Sequence, residues 1–417
     1  MRIAIVGAGL TGLTAGYRLS RKGNRVTIFE KSDFAGGLAG SFKEKSWDWP
    51  LEFYFHHFFT SDKELLDLAE ELGLAKKVFF NSPKTSIFSN NFISPFDSPL
   101  SVLKSPLLSP AQKIQTALAT LYLKVTNNWK LLEKTTASEW LKKYYGTKPY
   151  EIIWEPLLKS KFGQTDAEQV SMAWFWGRIK KRSFKLGYFE GGFQILIDSL
   201  LKEIKKNNGE VLFNREFTAS DFNRGFEKII WTGPIPNFLK IAPKLPKEYQ
   251  GRLNNLKMVG AVNLVLVLKD QFLKDNTYWL NINEAGFPFV AVVEHTNFID
   301  AKNYGNNRLL YVGGYYPQNH PYFKMSKEEI YQEFLPYLKK INPAFKFPLL
   351  ASRFSLHSSL SAQPVIPTSY SKIVPSFTTP LPNVYLATMH HIYPWDRGTN
   401  YAVKLGNDVA YEIFKEI

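Results

Sequence analysis

Residues 2–40 read RIAIVGAGLTGLTAGYRLSRKGNRVTIFEKSDFAGGLAG, and the order of their elements decides the fold. The run RIAIV, Arg2–Val6, has the length and apolar density of a buried strand. It enters Gly7-Ala8-Gly9-Leu10-Thr11-Gly12, and the helical spacing of Leu13, Tyr17 and Leu19 follows. A second apolar run, Arg25–Phe29, ends at Glu30. Strand, glycine turn, helix, strand and acid make a complete βαβ unit. In such a unit Gly7 allows the tight turn, Gly9 admits a pyrophosphate to the backbone, and Gly12 lets helix pack on strand. The helix start presents free N–H groups and the positive dipole end. Glu30 stands where a carboxylate takes ribose hydroxyls. A glycine turn alone is weak. With strand, helix and acid all in place, a dinucleotide site is the reading over a plain tight turn.

The rest of the composition narrows the chemistry. A chain of 417 residues with 45% hydrophobic and 15% aromatic residues implies two domains or one large composite unit. It has no cysteine, which excludes disulfides, thiolate nucleophiles and cysteine-rich zinc sites. The formal net charge of +15 is spread through lysine-rich stretches such as Lys180-Lys181-Arg182 and residues 202–206. That pattern reads as a solvated basic surface with electrostatic reach towards anions. Zinc-finger spacing, an RNA-binding aromatic pair and a basic tail are all missing, so nucleic acid is not an expected partner. No metal-binding HExxH helix and no nucleophile elbow is visible, and no metal site is expected. The first strand starts without a leader pattern and no apolar run reaches about 18 residues. A cytoplasmic protein is therefore expected.

Beyond Glu30 come Lys31-Ser32-Asp33-Phe34-Ala35-Gly36-Gly37-Leu38-Ala39-Gly40. A Gly-Gly pair in a loop signals special backbone angles or close approach. The dinucleotide turn, the acid and this Gly-Gly loop together resemble the flavoprotein superfamily of amine oxidases, protoporphyrinogen oxidases and phytoene desaturases. The resemblance implies an α/β protein: a discontinuous Rossmann-like FAD-binding domain and a substrate domain of mixed sheet with a helical insert. On that basis residues 1–80, 187–240 and 375–417 form the FAD-binding domain. Residues 81–186 and 241–374 form the substrate domain, with the insert at 100–181. Gly7, Ala8, Gly9, Leu10, Thr11, Gly12, Glu30, Lys31, Gly36, Gly37 and Leu38 become cofactor-contact candidates. The family often has arginine where Leu38 stands, so an arginine contact is not carried over.

Residues 47–59, WDWPLEFYFHHFF, embed Glu52, His56 and His57 among aromatics. They read either as the lining of the flavin pocket or as a core strand with merely hydrogen-bonded histidines. Residues 62–72 read as an amphipathic helix ending at Gly73. Short strands are expected at 85–89 and 91–94 and a helix at 111–126, and Thr136 with Glu139 has capping-box spacing. In protoporphyrinogen oxidases the helical part of the substrate domain rests on membranes. Leu103, Leu107, Leu108, Leu121, Tyr122 and Trp129 would supply such a peripheral face here, against the commoner reading of a core stripe.

Residues 209–213 resemble the family strand near the adenine, with the backbone of Val211 making the contact. Residues 260–268, GAVNLVLVL, form a strong strand of a second sheet. Asn263 stands at the position where amine oxidases commonly carry a lysine. Asparagine there resembles the protoporphyrinogen-oxidase-like members. The last strand, 383–387, leads through Tyr393-Pro394-Trp395-Asp396-Arg397-Gly398-Thr399-Asn400 into a helix at 401–415. In the family this element meets the flavin, which implies backbone contacts from Gly398, Asn400 and Tyr401.

The implied activity is an FAD-dependent oxidase, dehydrogenase or desaturase that moves hydride from an apolar or cyclic organic substrate to the flavin. Oxygen, a quinone or another acceptor reoxidises it. Asn263, His56, His57 and Arg397 are the candidate catalytic side chains. The alternative is a flavin-dependent isomerase resembling UDP-galactopyranose mutase, whose aromatic and histidine segment is similar to residues 57–64. There Arg178, Arg182 and Arg353 would hold phosphates. A flavin-binding protein without catalysis is the third reading.

Overall fold

The computed structural model describes residues 1–346 and 353–415. Parts of the expected 241–374 and 375–417 segments, namely 347–352 and 416–417, lie outside the described residues. The predicted βαβ unit forms: Arg2–Val6 and Arg25–Phe29 pair in parallel around the helix Leu10–Ser20. Three later strands complete a five-stranded parallel sheet, in the order Glu210–Leu212, Arg25–Phe29, Arg2–Val6, Lys228–Trp231, Val384–Leu386. The chain builds outward on one side of Arg2–Val6 and then returns to build on the other. That reversal opens a crevice at the carboxyl ends of the strands, where such sheets bind ligands. Thr232 closes the bottom of it, its Oγ1 donating to the Val6 carbonyl at 2.8 Å.

Two ends of the chain meet on one face of this sheet. Helix Leu10–Ser20 packs along Thr399–Phe414, and both share a core with Gln194–Lys206. Their approach is close enough that a Cβ on Gly406 would sit 2.6 Å from the Thr11 carbonyl oxygen. The last helix starts at Thr399 and not at the expected Tyr401, because extended Gly398 serves as its N-cap.

The second sheet has seven strands in the order Phe354–Pro364, Met258–Leu268, Arg308–Tyr316, Ala291–Glu294, Thr277–Ile282, Lys84–Ser89, Phe92–Pro95. Neighbours are antiparallel except Thr277–Ile282 with Lys84–Ser89. Both faces of Met258–Leu268 are covered, so the strand reads as continuous apolar sequence. Strand alternation sorts its side chains: Val262, Leu264 and Leu266 pack under helix Lys327–Ile341 with Ile330 and Phe334. Val265 points the other way, into the core shared with the parallel sheet, and Asn263 shares its parity.

Two further expectations are corrected. Residues 47–59 are no continuous strand. Pro50 has no N–H for a ladder, and only Leu51–Glu52 and Phe58–Phe59 pair, each with a different partner strand. Of the expected outward face, Leu108 is buried against Ile87 and Ile153. Leu107 and Trp129 are half-buried, the Trp129 ring resting edge-on against Tyr393. Leu103, Leu121 and Tyr122 do face outward, joined by Leu100, Ile114, Leu118 and Val125. The helix Pro110–Val125 spends only Thr116, Ala119 and Leu123 on the core, which leaves its other apolar residues outside. Thr136 and Glu139 make the predicted capping box.

The helix crossing makes a direct prediction. Gly406→Ala drives its methyl into backbone and should cost about 1–3 kcal/mol. Gly251→Ala, in an exposed helix with open space around the new methyl, should gain about 0.5–1 kcal/mol. Urea denaturation of the two variants reads both signs.

Candidate functional site

The glycine turn has the geometry its spacing predicts. Gly7 sits at φ +104°, and a Cβ on Gly12 would lie 2.0 Å from the Gly7 carbonyl oxygen. The Gly36–Gly37 loop comes back alongside: Gly36 N donates to the Ala8 carbonyl at 2.8 Å, and Gly9 pairs with Gly36 as a parallel bridge. The start of the last helix arrives from the other end of the chain, with Thr11 Oγ1 donating to the Ala402 carbonyl at 3.1 Å. Both helix starts lack a side-chain cap, so their N–H groups face outward from Gly9 and Gly398. A Cβ on Gly9 or Gly398 would meet no protein atom within 4 Å.

Glu30 is buried at the mouth of this turn. Its Oε2 accepts from Ala8 N at 2.8 Å and its Oε1 from Ser32 N at 2.9 Å. A carboxylate has about four lone-pair positions, so both oxygens keep acceptor capacity. Val211 lies in register with Ile28 on the neighbouring strand. Lys31 is exposed and Leu38 half-buried. Asn400 is buried and its Oδ1 accepts from Leu65 N at 3.0 Å. The Tyr401 ring stacks on Trp395 with centroids 5.8 Å apart. Two uncapped helix starts, a glycine cradle with room above it and a buried acid with spare acceptor capacity fit an extended dinucleotide such as FAD.

Asn263, His56 and Arg397 gather beyond the turn; His57 sits deeper. Asn263 Nδ2 donates to the Phe53 carbonyl at 2.7 Å, and its buried Oδ1 has no protein partner. His56 Nδ1 donates to the Tyr54 carbonyl at 2.6 Å, which leaves Nε2 as the acceptor. Burial lowers His56 to about 4, and Arg397 repels its protonated form. His57 is packed among Phe59, Tyr278 and Trp279, its Nδ1 3.3 Å from the Tyr278 hydroxyl. Burial, with Arg182, brings it down to about 3. Both imidazoles are neutral at pH 7. The Arg397 guanidinium hydrogen-bonds the Tyr315 hydroxyl and lies over its ring, while its buried Nε is unpartnered.

Next to Arg397 stands a group that sequence reasoning missed. Asp396 takes Arg178 Nη1 at 2.9 Å and Lys161 Nζ at 3.4 Å on Oδ2, and Trp174 Nε1 at 3.0 Å on Oδ1. Burial pushes the Asp396 carboxyl up, but Lys161, Arg178 and Arg397 outweigh it and hold it at about 2. Burial lowers the Lys161 ammonium to about 7 against the pull of Asp396. The signal for Lys161 was present: with Leu158 and Phe162 it falls on the buried stripe of the helix Glu155–Ala167. Of the arginines expected to hold phosphates, Arg178 is in this group. Arg353 precedes the strand Phe354–Pro364, whose Phe354 pairs with Leu266.

A family profile described as flavin containing amine oxidoreductase matches residues 10–414. Protoporphyrinogen oxidase 2, chloroplastic/mitochondrial, of Arabidopsis thaliana is 24% identical over 272 residues, 55% of this chain and 52% of that protein. The chain thus spans about half the length of this curated relative, and less of others. Among solved structures, putrescine oxidase bound to putrescine superposes with a TM-score of 0.71 at 16% identity, covering 100% of this chain and 99% of that one. Reduced UDP-galactopyranose mutase superposes with a TM-score of 0.75 at 14% identity, covering 100% and 96%. At these identities the two structures speak for the fold alone.

Glu52 is fully buried, accepting from the Tyr188 hydroxyl at 2.6 Å and Phe193 N at 2.8 Å. Burial raises its carboxyl from 4.5 to about 7. Between these values the unfolded chain has released a proton that the folded chain still holds. Stability therefore falls as pH rises through that window and levels above it. Glu52→Gln mimics the protonated acid. Its stability relative to the parent should rise by roughly 3 kcal/mol from about pH 4 to about pH 8, read by urea denaturation at both pH values.

Proposed function

This chain belongs to the family of flavin-containing amine oxidoreductases, with FAD as its cofactor, and on that premise we propose that it oxidises a small organic substrate. The observation that carries the reading is the meeting of three elements. The Gly7–Gly12 turn, the Gly36–Gly37 loop and the start of helix Thr399–Phe414 converge, and Arg397, directly before that helix, and Asn263 each keep a buried polar atom without a partner. Bound FAD supplies the redox step, accepting a hydride from an apolar or cyclic substrate, with oxygen, a quinone or another carrier as final acceptor.

The protein's share is binding and orientation. Gly7, Ala8 and Gly9 shape the turn, the Gly7 and Ala8 N–H groups being held by the Phe29 carbonyl and Glu30, while Leu10, Thr11 and Gly12 offer backbone N–H groups and the helix dipole to the pyrophosphate. Glu30 offers spare lone pairs to ribose hydroxyls. Lys31, Gly36, Gly37 and Leu38 flank the cofactor, and Val211, Gly398, Asn400 and Tyr401 contribute through their backbone. Residues 1–80, 187–240 and 375–417 would hold FAD, and 81–186 with 241–374 the substrate. Asn263 Oδ1 is an acceptor, and neutral His56 can take a proton at Nε2. Arg397 supplies positive charge, and His57 holds the aromatic wall. The isomerase alternative rests on fold likeness and on the resemblance of residues 57–64, and the family assignment favours oxidation.

Among the described residues no helix is long and apolar enough to cross a membrane. The helix Pro110–Val125 nonetheless presents Ile114, Leu118, Leu121, Tyr122 and Val125 on one side, each 42–63% exposed. Beside them lie exposed Leu100 and Leu103, with Lys104 and Lys130 also at the surface. An apolar stripe with basic neighbours suits the headgroup region of a bilayer. We read this face as a peripheral contact of an otherwise cytoplasmic protein.

Two outcomes test these readings. Gly9→Val fills space that no protein atom occupies, so the variant should fold as the parent does, by circular dichroism, yet lose the visible flavin band. A Gly9→Val protein that keeps full FAD would overturn the assignment of the turn. Leu118→Glu with Val125→Glu should reduce co-sedimentation with phosphatidylcholine–phosphatidylglycerol vesicles at least severalfold, without changing flavin content; unchanged sedimentation excludes the membrane face.

A further inference from the structure

The group around Asp396 has more charge than its own contacts use. Lys161, Arg178 and Arg397 surround a single carboxylate. The Lys161 side chain is only 9% exposed, that of Arg178 20% and that of Asp396 17%. Two arginines and a lysine whose ammonium is only about half protonated near pH 7 face one anion, which still leaves an excess of positive charge in a region mostly removed from water. Removing charges from water is costly unless partners compensate them. Part of the compensation here comes from aromatic faces: Lys161 Nζ lies 5.0 Å from the Trp174 ring centroid and 5.3 Å from that of Tyr315. Arg397 lies over the same Tyr315 ring. The Arg397 Nε still has no partner although it is buried.

The placement of this excess is informative. Asp396 and Arg397 directly precede Gly398, the N-cap of the helix whose first turn meets Thr11. Tyr315 comes from the strand beside Met258–Leu268, where Ala261 is its register partner and Asn263 shares its side of the sheet. Lys161 and Arg178 come from the helical segment, on Glu155–Ala167 and Met172–Lys181. Positive side chains from three separate parts of the chain thus converge at the edge of the proposed pocket. A solvated basic surface does not explain them, because a solvated lysine has no need of burial against two rings.

We infer that this cluster is an anion-recognition subsite and that the substrate carries a carboxylate or phosphate group, seated against Arg178, Lys161 and Arg397. The inference rests on the reading of the neighbouring pocket as the substrate site beside FAD. An added anion neutralises the excess and gives the Arg397 Nε–H an acceptor. Charge-assisted hydrogen bonds of this kind are roughly twice as strong as neutral ones, and arginine suits both anions. The substrate class narrows from any apolar or cyclic molecule to one with an acidic end, the acid held here and the oxidisable part directed towards Asn263.

Calorimetric titration of the purified, FAD-loaded protein with inorganic pyrophosphate and, separately, with succinate tests this. At least one should bind saturably, and Arg178→Gln and Lys161→Met should each weaken it about tenfold or more. Lys404→Gln, at a surface pair with Asp408, should leave it unchanged. Pyrophosphate binding alone assigns a phosphate-bearing substrate, and succinate binding alone a carboxylate. Flavin content and circular dichroism of each variant report whether it folds. Should Lys161→Met fail to fold, the more exposed Arg178→Gln carries the test. Protein that holds flavin yet binds neither anion, or binds equally in folded variants, overturns the inference and leaves the FAD assignment intact. Protein that cannot be loaded with flavin overturns the FAD assignment, and the same titration then still reads the cluster.

Discussion

Helix Leu10–Ser20 and helix Thr399–Phe414 cross with no room for a side chain at Gly406, where the Thr11 carbonyl presses against its Cα. That contact joins residues from opposite ends of the chain and brings two uncapped helix starts together. Everything proposed about the cofactor depends on it. A single helix N-terminus attracts an anion over its first turn only. Two that converge, one at the pyrophosphate-binding turn and one entered through Gly398, can hold a long cofactor along its length.

The same economy governs the second sheet. Met258–Leu268 is buried on both faces, and strand alternation sends Leu264 to one core and Asn263 towards the other. A polar side chain in such a strand has to find a partner or lose about 1–3 kcal/mol per unsatisfied group. Asn263 satisfies its amide with the Phe53 carbonyl and keeps its oxygen free. The loop 53–57, which fails to become a strand, thereby acquires its position: it lies across Asn263 and brings Tyr54 and His56 towards Arg397. The irregular stretch between Leu51–Glu52 and Phe58–Phe59 is what places these side chains there.

Charge is distributed unevenly over this framework. The outer lysines are ordinary solvated groups, and exposed pairs such as Lys404 with Asp408 contribute about 0.2–1 kcal/mol. The Asp396 cluster differs in kind, since its cations are drawn from water and held by rings and one carboxylate. The apolar outer side of Pro110–Val125 is the complementary feature, greasy surface left outside while charge is carried inside.

Residues 2–40 by themselves determined the parallel βαβ unit and the place of Glu30, because glycine sterics and strand–helix periodicity act over short stretches of chain. Local rules also supplied the capping box at Thr136 and the strong strand around Asn263. They did not extend to residues 47–59, where apolar content suggested a strand and Pro50 broke the ladder. Nor did they separate Leu107, Leu108 and Trp129, which fall to the core reading, from Leu103, Leu121 and Tyr122, which face outward, since a leucine's pattern does not tell which side another segment will cover. Lys161 shows the limit most clearly. Its position on the Leu158–Phe162 stripe was readable, but its partners Asp396, Trp174 and Tyr315, and Arg178 that shares Asp396 with it, come from elsewhere in the chain. Only tertiary structure decides which distant charges share a low-dielectric space, and that sharing turns scattered lysines and arginines into a site.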